Sequence, residues 1–161
     1  MMQFGMRGRG VRFAAVVASA LVLAACAQTK PDGLTGNVQP GTGQDFVVNV
    51  GDRVFFSNDQ STLSSQAMAT LDKQARWLQS YSRYTVTIEG HADERGTRQY
   101  NIALGARRAN AVRDYLASKG IAASRLKTIS YGKERPVAVC NNESCWSQNR
   151  RAVTVLDNAG S

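Results

Sequence analysis

Asp93 and Arg108 are the residues of this sequence whose types and spacing best fit a binding site. Asp93 follows a run of alternating apolar and polar residues, 84–90, and Arg108 lies within a run of helical periodicity, 101–119. A strand–loop–helix crossover brings the loop and the helix to the end of a sheet, so a carboxylate and a guanidinium can face the same point. Such a pair suits a ligand that carries both an ammonium and a carboxylate.

Two other interpretations of these residues are open. Asp93 can pair with a nearby arginine and only fix the loop, because structural ion-pair networks perturb charged groups as ligand sites do. The candidate partners are Arg95, Arg98 and Arg108. Alternatively, His91 and Asp93 can form the acid–base pair of a hydrolase. The sequence has no nucleophile-elbow motif and no second histidine, so we expect a binding module rather than an enzyme, with neither metal nor cofactor.

The elements that position this pair are predicted from hydrophobic periodicity. Helices are expected from Ser64 or Ser65 to Ser80 and over 101–119, and strands ending at Phe56 and covering 84–90, 126–131 and 151–156, with a β-rich run at 47–50. Strands that alternate with helices predict an α/β sandwich, with two main helices packed on a mixed four-stranded sheet. The inward face of the first helix is expected to hold Ala67, Met68, Leu71, Ala75 and Leu78, with Trp77 at its margin.

The chain opens with the three-part pattern of an export signal. Arg7, Arg9 and Arg12 precede an apolar core from Phe13 to Leu23, which is too short and wrongly flanked for a spanning helix. A Leu-Ala-Ala-Cys sequence then ends at Cys26 and resembles the lipobox of bacterial lipoproteins, in which the cysteine is acylated. The resemblance implies a lipidated Cys26; the alternative is plain secretion.

The sequence therefore predicts three parts: a signal peptide at 1–25, a lipidated N-terminus and flexible tether at 26–45, and a folded domain at 46–161. The tether is assigned because Gln28 to Asp45 is rich in Gly, Pro, Thr, Gln and Asn and lacks apolar periodicity. Ala27 stands where lipoproteins retained in the inner membrane usually carry Asp. The resemblance to lipoproteins therefore implies the outer membrane, with the domain in the periplasm.

Charge and cysteine content agree with an exported protein. Three of the 20 basic residues lie in the signal, which leaves 17 against 12 acidic ones. This mildly basic balance suits an anionic polymer or a membrane surface, and nucleic acid is not an expected partner. With Cys26 lipidated, Cys140 and Cys145 are left as a pair, so we expect a disulfide that closes the loop 141–144, with two reduced thiols as the alternative.

Four motifs resemble the OmpA-like peptidoglycan-binding domain. They are Glu-Gly-His-Ala-Asp-Glu-Arg-Gly-Thr at 89–97, Tyr-Asn-Ile-Ala-Leu-Gly-Ala-Arg-Arg-Ala-Asn-Ala-Val at 100–112, Ser-Tyr-Gly-Lys-Glu-Arg-Pro at 130–136 and Asn-Arg-Arg-Ala-Val at 149–153. In that family the aspartate of the first motif and the second arginine of the Arg-Arg-Ala motif bind the diaminopimelate of the peptide stem. The resemblance assigns these roles to Asp93 and Arg108.

The same resemblance implies further contacts with the ligand. Arg95, Asn101 and Leu104 are expected to line the groove. The family usually has Phe-Asp where this chain has Phe56-Ser57, so the loop after the first strand is expected to meet the ligand through its backbone N–H groups. Asp59 is an additional acid in that loop.

Lipoproteins of this family also imply a place in the cell. The expected protein links the outer membrane to the cell wall and binds the β-propeller protein TolB through an overlapping surface, in envelope integrity and cell division. The alternative is a structural or chaperone-like lipoprotein without affinity for the wall. We expect alanine at Asp93 or Arg108 to weaken wall binding by roughly 2–5 kcal/mol without preventing folding.

Overall fold

The computed structural model describes residues 38–157. The expected signal peptide at 1–25, the expected lipidation site Cys26 and residues 28–37 of the expected tether lie outside these residues. The described helices are α1 (Gly43–Asp45), α2 (Ser65–Ser80), α3 (Arg98–Ser118) and α4 (Glu143–Asn149). The described strands are β1 (Arg53–Phe55), β2 (Val86–His91), β3 (Leu126–Gly132) and β4 (Arg151–Leu156).

The strands form one mixed sheet in the order β1-β4-β2-β3. β2 runs parallel to β3, and β4 runs antiparallel to both of its neighbours. The core lies between the sheet and the helices α2 and α3, and includes Leu71, Leu78, Ile88, Val112 and Leu116. The predicted fold class, two main helices on a mixed four-stranded sheet, is confirmed. Because β2 is an interior strand, the loop that follows it leaves the sheet near the middle of its edge.

A close approach between β2 and α3 sets the position of that loop relative to the helix. A Cβ atom on Gly90 would lie 1.8 Å from the carbonyl oxygen of Gly105, so only glycine allows this contact. The Ser130 hydroxyl on β3 donates to the Ile102 carbonyl at 2.7 Å and holds the same turn of α3. The first half of α3 is therefore packed directly against the end of β2.

The segment before β1 differs from the sequence prediction. The run 47–50 was expected to be β-rich, but Phe46–Val50 is a π-helical turn that follows α1. Asp45 was expected at the end of the tether, yet it is buried and accepts hydrogen bonds from Gly41 N and from Trp77 Nε1, at 2.9 and 2.8 Å. These tertiary contacts, which composition does not report, make residues 41–45 part of the folded body.

Two positions on α2 and one short helix also differ from expectation. Trp77 is buried rather than marginal, because its ring packs on Phe46 at 4.9 Å between centroids. Met68, expected to face inward, is exposed. The region after Cys140 was expected to be a loop, but Asn142 accepts from Ser144 N at 3.0 Å and begins α4. A disulfide joins Cys140 to Cys145 across this helix start.

Candidate ligand-binding cleft

An open cleft of about 360 Å³ lies where β2 ends, between the loop 57–64, the loop 92–97 and the first turns of α3. Its walls carry two carboxylates, one guanidinium, two amides and an aromatic ring. The lining residues are Asn58, Asp59, Asp93, Arg95, Gly96, Tyr100, Asn101 and Leu104. Four of the residues proposed from the sequence, Asp93, Arg95, Asn101 and Leu104, are thus brought together in one cleft.

Asp93 is held in the cleft by two arginines. It is 6% exposed, and its Oδ1 accepts from Arg95 N and Arg95 Nε, both at 3.1 Å. Its Oδ2 accepts from Arg95 Nη2 at 2.7 Å and from Arg150 Nη1 at 3.4 Å. Burial acts to raise the pKa of Asp93, but the hydrogen bonds and charges of the two guanidinium groups outweigh it and lower the pKa below its ordinary value. The carboxyl group is therefore ionised near neutral pH.

Arg95 lies across the cleft and has contacts on both sides of it. Besides Asp93, its Nη2 donates to Asn58 Oδ1 at 2.7 Å. Its guanidinium carbon also lies 4.1 Å from the centroid of the Trp146 ring, a cation–π contact. The Arg95 side chain is 39% exposed. The pairing of Asp93 with Arg95, one of the alternatives considered above, is thus present, and it occurs at the solvent edge where a ligand can compete for it.

The beginning of α3 supplies the floor of the cleft. The Thr97 hydroxyl caps the helix by accepting from Tyr100 N at 3.2 Å. One turn in, the buried Asn101 donates to the Arg95 carbonyl at 2.7 Å and fixes the loop to the helix. Leu104 adds an apolar surface. The exposed Tyr100 donates its hydroxyl proton to Asp59 and so ties the two loops together across the opening.

Arg108 lies beneath the cleft and does not line it. Its side chain is 0% exposed. Its Nε, Nη1 and Nη2 donate to the carbonyl oxygens of Gln60, His91 and Ser57 at 2.8, 2.8 and 3.3 Å. Within residues 38–157 no carboxylate lies within 4.0 Å of this guanidinium. Burial lowers the pKa of Arg108 to about 10, against the opposing effect of the Asp93 charge, so it stays protonated as a poorly compensated buried cation.

Phe56 and Ser57 were expected to contact a ligand, but neither lines the cleft. Phe56 is buried in the core, with its ring centroid 5.2 Å from the guanidinium carbon of Arg108. The carbonyl of Ser57 points to the same arginine. The chain then turns, with Gln60 N donating to Ser57 O at 3.2 Å, and this turn places Asn58 and Asp59 in the cleft instead. Asp59, the additional acid of this loop, was the sequence feature that pointed to residues after Ser57 as part of the cleft.

His91 does not form an acid–base pair with Asp93. Its side chain is 2% exposed, and neither ring nitrogen has a hydrogen-bond partner; Glu89 Oε2 lies 3.6 Å from Nε2, beyond hydrogen-bonding distance. The ring instead packs near Tyr131, with 5.6 Å between centroids. Burial first, and then the charges of nearby arginines, lower the pKa of His91 to about 4. It is therefore a neutral imidazole near pH 7.

Arg150 was not among the residues proposed from the sequence, although its motif was noted. It is buried and contacts Asp93 from the protein side.

The part of the chain that the structure describes contains no group of three or more His, Cys, Asp or Glu residues able to hold a metal ion. Over the same residues, no helix combines the length and the apolar character needed to cross a bilayer.

Comparison with known proteins identifies the family. The model of the OmpA family matches residues 55–151, which contain every residue that lines the cleft. The peptidoglycan-associated lipoprotein of Agrobacterium fabrum is 61% identical over 150 residues, covering 88% of this chain and 85% of the relative. This chain belongs to the peptidoglycan-associated lipoproteins of the OmpA family. The Pseudomonas aeruginosa member is 38% identical, covering 94% of this chain and 96% of its own.

Solved structures agree with the family assignment. The crystal structure of the peptidoglycan-associated lipoprotein from Burkholderia pseudomallei superposes with a TM-score of 0.64 at 41% identity, covering 65% of this chain and 89% of that chain. The C-terminal domain of Helicobacter pylori MotB has a TM-score of 0.63 at 22% identity, covering 68% of this chain and 86% of its own. The second likeness concerns the fold alone.

Proposed function

We propose that this lipoprotein binds peptidoglycan non-covalently, by holding the diaminopimelate of the stem peptide in the cleft. Relatives that share most of the chain are named for association with peptidoglycan. A diaminopimelate residue within a stem offers a free ammonium and a carboxylate on a short aliphatic chain. The cleft offers two carboxylates, one guanidinium group and the apolar surface of Leu104 within one small volume, and Arg108 lies beneath it.

The observation that carries the proposal is the state of Arg108. A buried guanidinium with only carbonyl acceptors has given up hydration without gaining an opposite charge in contact. A ligand carboxylate would be a stronger acceptor than the neutral carbonyls of Ser57 and Gln60, because the hydrogen bonds would then be charge-assisted. In this proposal the turn 57–60 moves aside and the carboxylate takes its place at Arg108.

The ligand's ammonium goes to Asp93 in the same proposal. Arg95 is the exposed partner of Asp93, so it is the group that an ammonium displaces. The electrostatic cost of this displacement is small, because one cation replaces another on the same carboxylate. The aliphatic chain of the ligand would then lie on Leu104, with Asn101 keeping the loop attached to α3.

Anchoring and partners complete the proposal. Acylated Cys26 would hold the chain in the outer membrane, and the cleft would hold the cell wall, so that the protein connects the two layers from the periplasmic side. A single acyl chain of myristoyl length binds membranes only marginally, so the anchor requires more than one chain. We further propose TolB as a protein partner that competes for the cleft region, as part of the Tol–Pal system in envelope integrity and cell division.

A peptidoglycan hydrolase is the second candidate, and the environment of His91 argues against it. A general base must reach the proton that it removes and titrate near the working pH. His91 is buried, its pKa is lowered to about 4, and no hydrogen bond joins it to Asp93. Incubation of the protein with purified cell wall is expected to release no soluble fragments.

Co-sedimentation with purified sacculi tests the binding site. The full chain in detergent should sediment with sacculi, and Asp93→Ala should lose roughly 2–5 kcal/mol of affinity because the ligand's ammonium is left without its partner. Asp114→Asn is the matched control, since its pair with Arg113 is exposed on α3 outside the cleft. If Asp93→Ala sediments like the control, the cleft is not the wall-binding site.

The membrane anchor is tested independently. Cys26→Ser removes the acylation site, so the protein should move from the membrane to the soluble periplasmic fraction. Its affinity for sacculi should not change, because the cleft lies elsewhere in the chain. Fractionation followed by sedimentation of the soluble form measures both, and retention of the variant in the outer membrane would contradict the lipid anchor.

A further inference from the structure

We propose that Arg150 and the disulfide-closed helix α4 are a positioning unit for the cleft, which holds Asp93 in place while a ligand displaces Arg95. The inference rests on the proposed function and extends it to residues that do not line the cleft. It assigns Arg150, Glu143 and Trp146 to a role in ligand affinity, and it connects that affinity to the Cys140–Cys145 bond.

Arg150, which follows directly after α4, contacts Asp93 and two other groups. Its Nη1 donates to Asp93 Oδ2 at 3.4 Å, and its Nε donates to the Phe56 carbonyl at 3.1 Å. The same guanidinium pairs with Glu143, with Nη1 to Oε2 at 3.3 Å and a second contact from Nη2. Arg150 therefore grips Asp93 from inside the fold, whereas Arg95 grips it from the solvent side. When the Arg95 side chain leaves, Arg150 is the cationic partner that stays, together with the Arg95 backbone N–H.

Helix α4 also contacts Glu94 and Arg95, which follow Asp93 in the binding loop, residues 92–97. Trp146 donates its indole N–H to Glu94 Oε1 at 3.0 Å, and the guanidinium of Arg95 stacks on its ring. Through Arg150 and Trp146, the α4 region thus touches three successive loop residues, 93–95. The contacts at Asp93 and Glu94 stay when the Arg95 side chain leaves, so the loop has few conformations to lose on binding, and such preorganisation favours affinity.

Helix α4 itself depends on outside support. A seven-residue helix is too short to be stable in isolation. The disulfide closes its first turn, with Glu143 inside the closed loop. At the other end the buried Asn149 accepts from Val137 N at 2.8 Å and donates to the Ala138 carbonyl at 2.7 Å. With both ends fixed, Glu143 is held where it can orient Arg150.

Several charged groups face Asp93 and set its titration. The cations are Arg95 from the same loop, Arg150 from the end of α4 and Arg108 from α3. Glu143 is an anion that pairs with Arg150 and repels the Asp93 carboxylate. Loss or misplacement of the Arg150 charge removes one of these cations. The pKa of Asp93 then rises. Binding that needs the ionised carboxylate therefore begins to fall at a higher pH when the solution is acidified, and this fall is the acid limb of binding.

The experiment compares three variants with the parent: Arg150→Lys, Glu143→Gln and the double change Cys140→Ser with Cys145→Ser. Binding of the full chain to sacculi is measured from pH 8 to pH 3, because the pKa of Asp93 lies below its ordinary value, with Asp114→Asn as control. We expect Arg150→Lys to weaken binding about tenfold, as for loss of one charge-assisted hydrogen bond. The other two variants should weaken it less. In Arg150→Lys and in the double cysteine variant the acid limb of binding should move to higher pH. Glu143→Gln also removes an anion that acts on Asp93, so only weaker binding is expected of it. Asp114→Asn should match the parent.

Tryptophan fluorescence gives a second readout that does not depend on sedimentation. Trp146 and Trp77 are the two tryptophans of the chain, and only Trp146 contacts the binding loop. Addition of a diaminopimelate-containing stem peptide should therefore change the emission of the parent as Arg95 leaves the Trp146 ring. The change should be absent in Trp146→Phe, and its presence there at full size would contradict the arrangement.

The outcomes separate this inference from the proposed function. If Asp93→Ala binds like the parent, the proposed site fails and the inference fails with it. If Asp93→Ala loses binding while all three variants keep the parent's affinity and acid limb, only the inference is overturned. Weaker binding of Arg150→Lys and of the double cysteine variant with an unshifted acid limb also overturns it, because α4 would then be merely structural. Should Arg150→Lys not fold, Glu143→Gln decides, since its side chain is 64% exposed.

Discussion

Asp45 and Asp93 are two buried carboxylates that the fold uses in different ways. They are 8% and 6% exposed, and the pKa of each is lowered below its ordinary value. Asp45 is satisfied by neutral donors, with Asn49 Nδ2 at 2.8 Å, Trp77 Nε1 at 2.8 Å and Gly41 N at 2.9 Å. Asp93 is satisfied by the cations Arg95 and Arg150.

The difference shows that burial and the direction of a pKa shift do not by themselves indicate a site. Two donors to Asp45, Gly41 and Trp77, are buried, so the carboxylate fixes the segment before β1 to α2. One partner of Asp93 is instead a partly exposed arginine at the edge of a cleft. A cation at a solvent edge can be exchanged for a ligand's cation, whereas an embedded indole N–H cannot.

The largest effect is expected at Arg108, which is buried like Asp45 but lies beneath the cleft that contains Asp93. Arg108→Ala leaves the carbonyls of Ser57, Gln60 and His91 without this donor and opens a cavity. We expect the free energy of unfolding to fall by roughly 3–5 kcal/mol, contrary to the expectation from the sequence that folding is little affected. Urea denaturation measures it. An unchanged midpoint would show that the turn 57–60 relaxes without cost.

The next effect separates the two aspartates directly. Asp45→Ala leaves the Trp77 indole and the Gly41 amide without their acceptor, so the free energy of unfolding should fall by about 2–4 kcal/mol. Binding to sacculi, measured where the variant is fully folded, should not change. Asp93→Ala should instead lose binding, with a smaller loss of stability because Arg150 keeps its pair with Glu143. The comparison breaks down if both variants lose stability and binding together.

Acid sensitivity provides a third test, because His91 lies near the cleft without serving it. Its folded pKa of about 4 lies below the ordinary value of 6.5, so between these values the unfolded chain binds more protons. Stability is therefore full above pH 6.5 and falls as the pH decreases, by roughly 2 kcal/mol between pH 7 and pH 5. His91→Phe should flatten this part of the stability curve and leave wall binding intact. A steep curve in His91→Phe assigns the acid sensitivity to other groups.

The smallest effect is expected at Tyr100, whose hydroxyl bonds to Asp59 across the opening of the cleft. If the turn 57–60 must move to admit a carboxylate, Tyr100→Phe removes one contact that opposes the movement. Affinity for sacculi should then rise slightly, by less than about 1 kcal/mol, because the hydroxyl group is exposed. Weaker binding would instead indicate that the closed position of the turn is the one that binds.

Local pattern was sufficient for much of the fold and for part of the cleft. The bounds of α2, α3 and β4 were predicted to within a few residues, because a helix or strand must bury one face whatever its partner is. The cleft residues Asp93, Arg95 and Asn101 lie in one stretch of chain around the end of β2. Their proximity therefore follows from a single strand–loop–helix unit.

Residue patterns along the chain were enough to predict the two helices on a four-stranded sheet, the family and the loop that carries Asp93, since each single periodicity or motif involves residues close together in the sequence. The burial of Arg108, the place of Asp45 in the folded body and the contact of Arg150 with Asp93 became visible in the folded chain. Asp45 and Trp77 are 32 residues apart, and Asp93 and Arg150 are 57 apart. A charged or polar side chain pairs with whichever group the fold places beside it, and the local spacing of residues in the sequence does not predict such a distant partner.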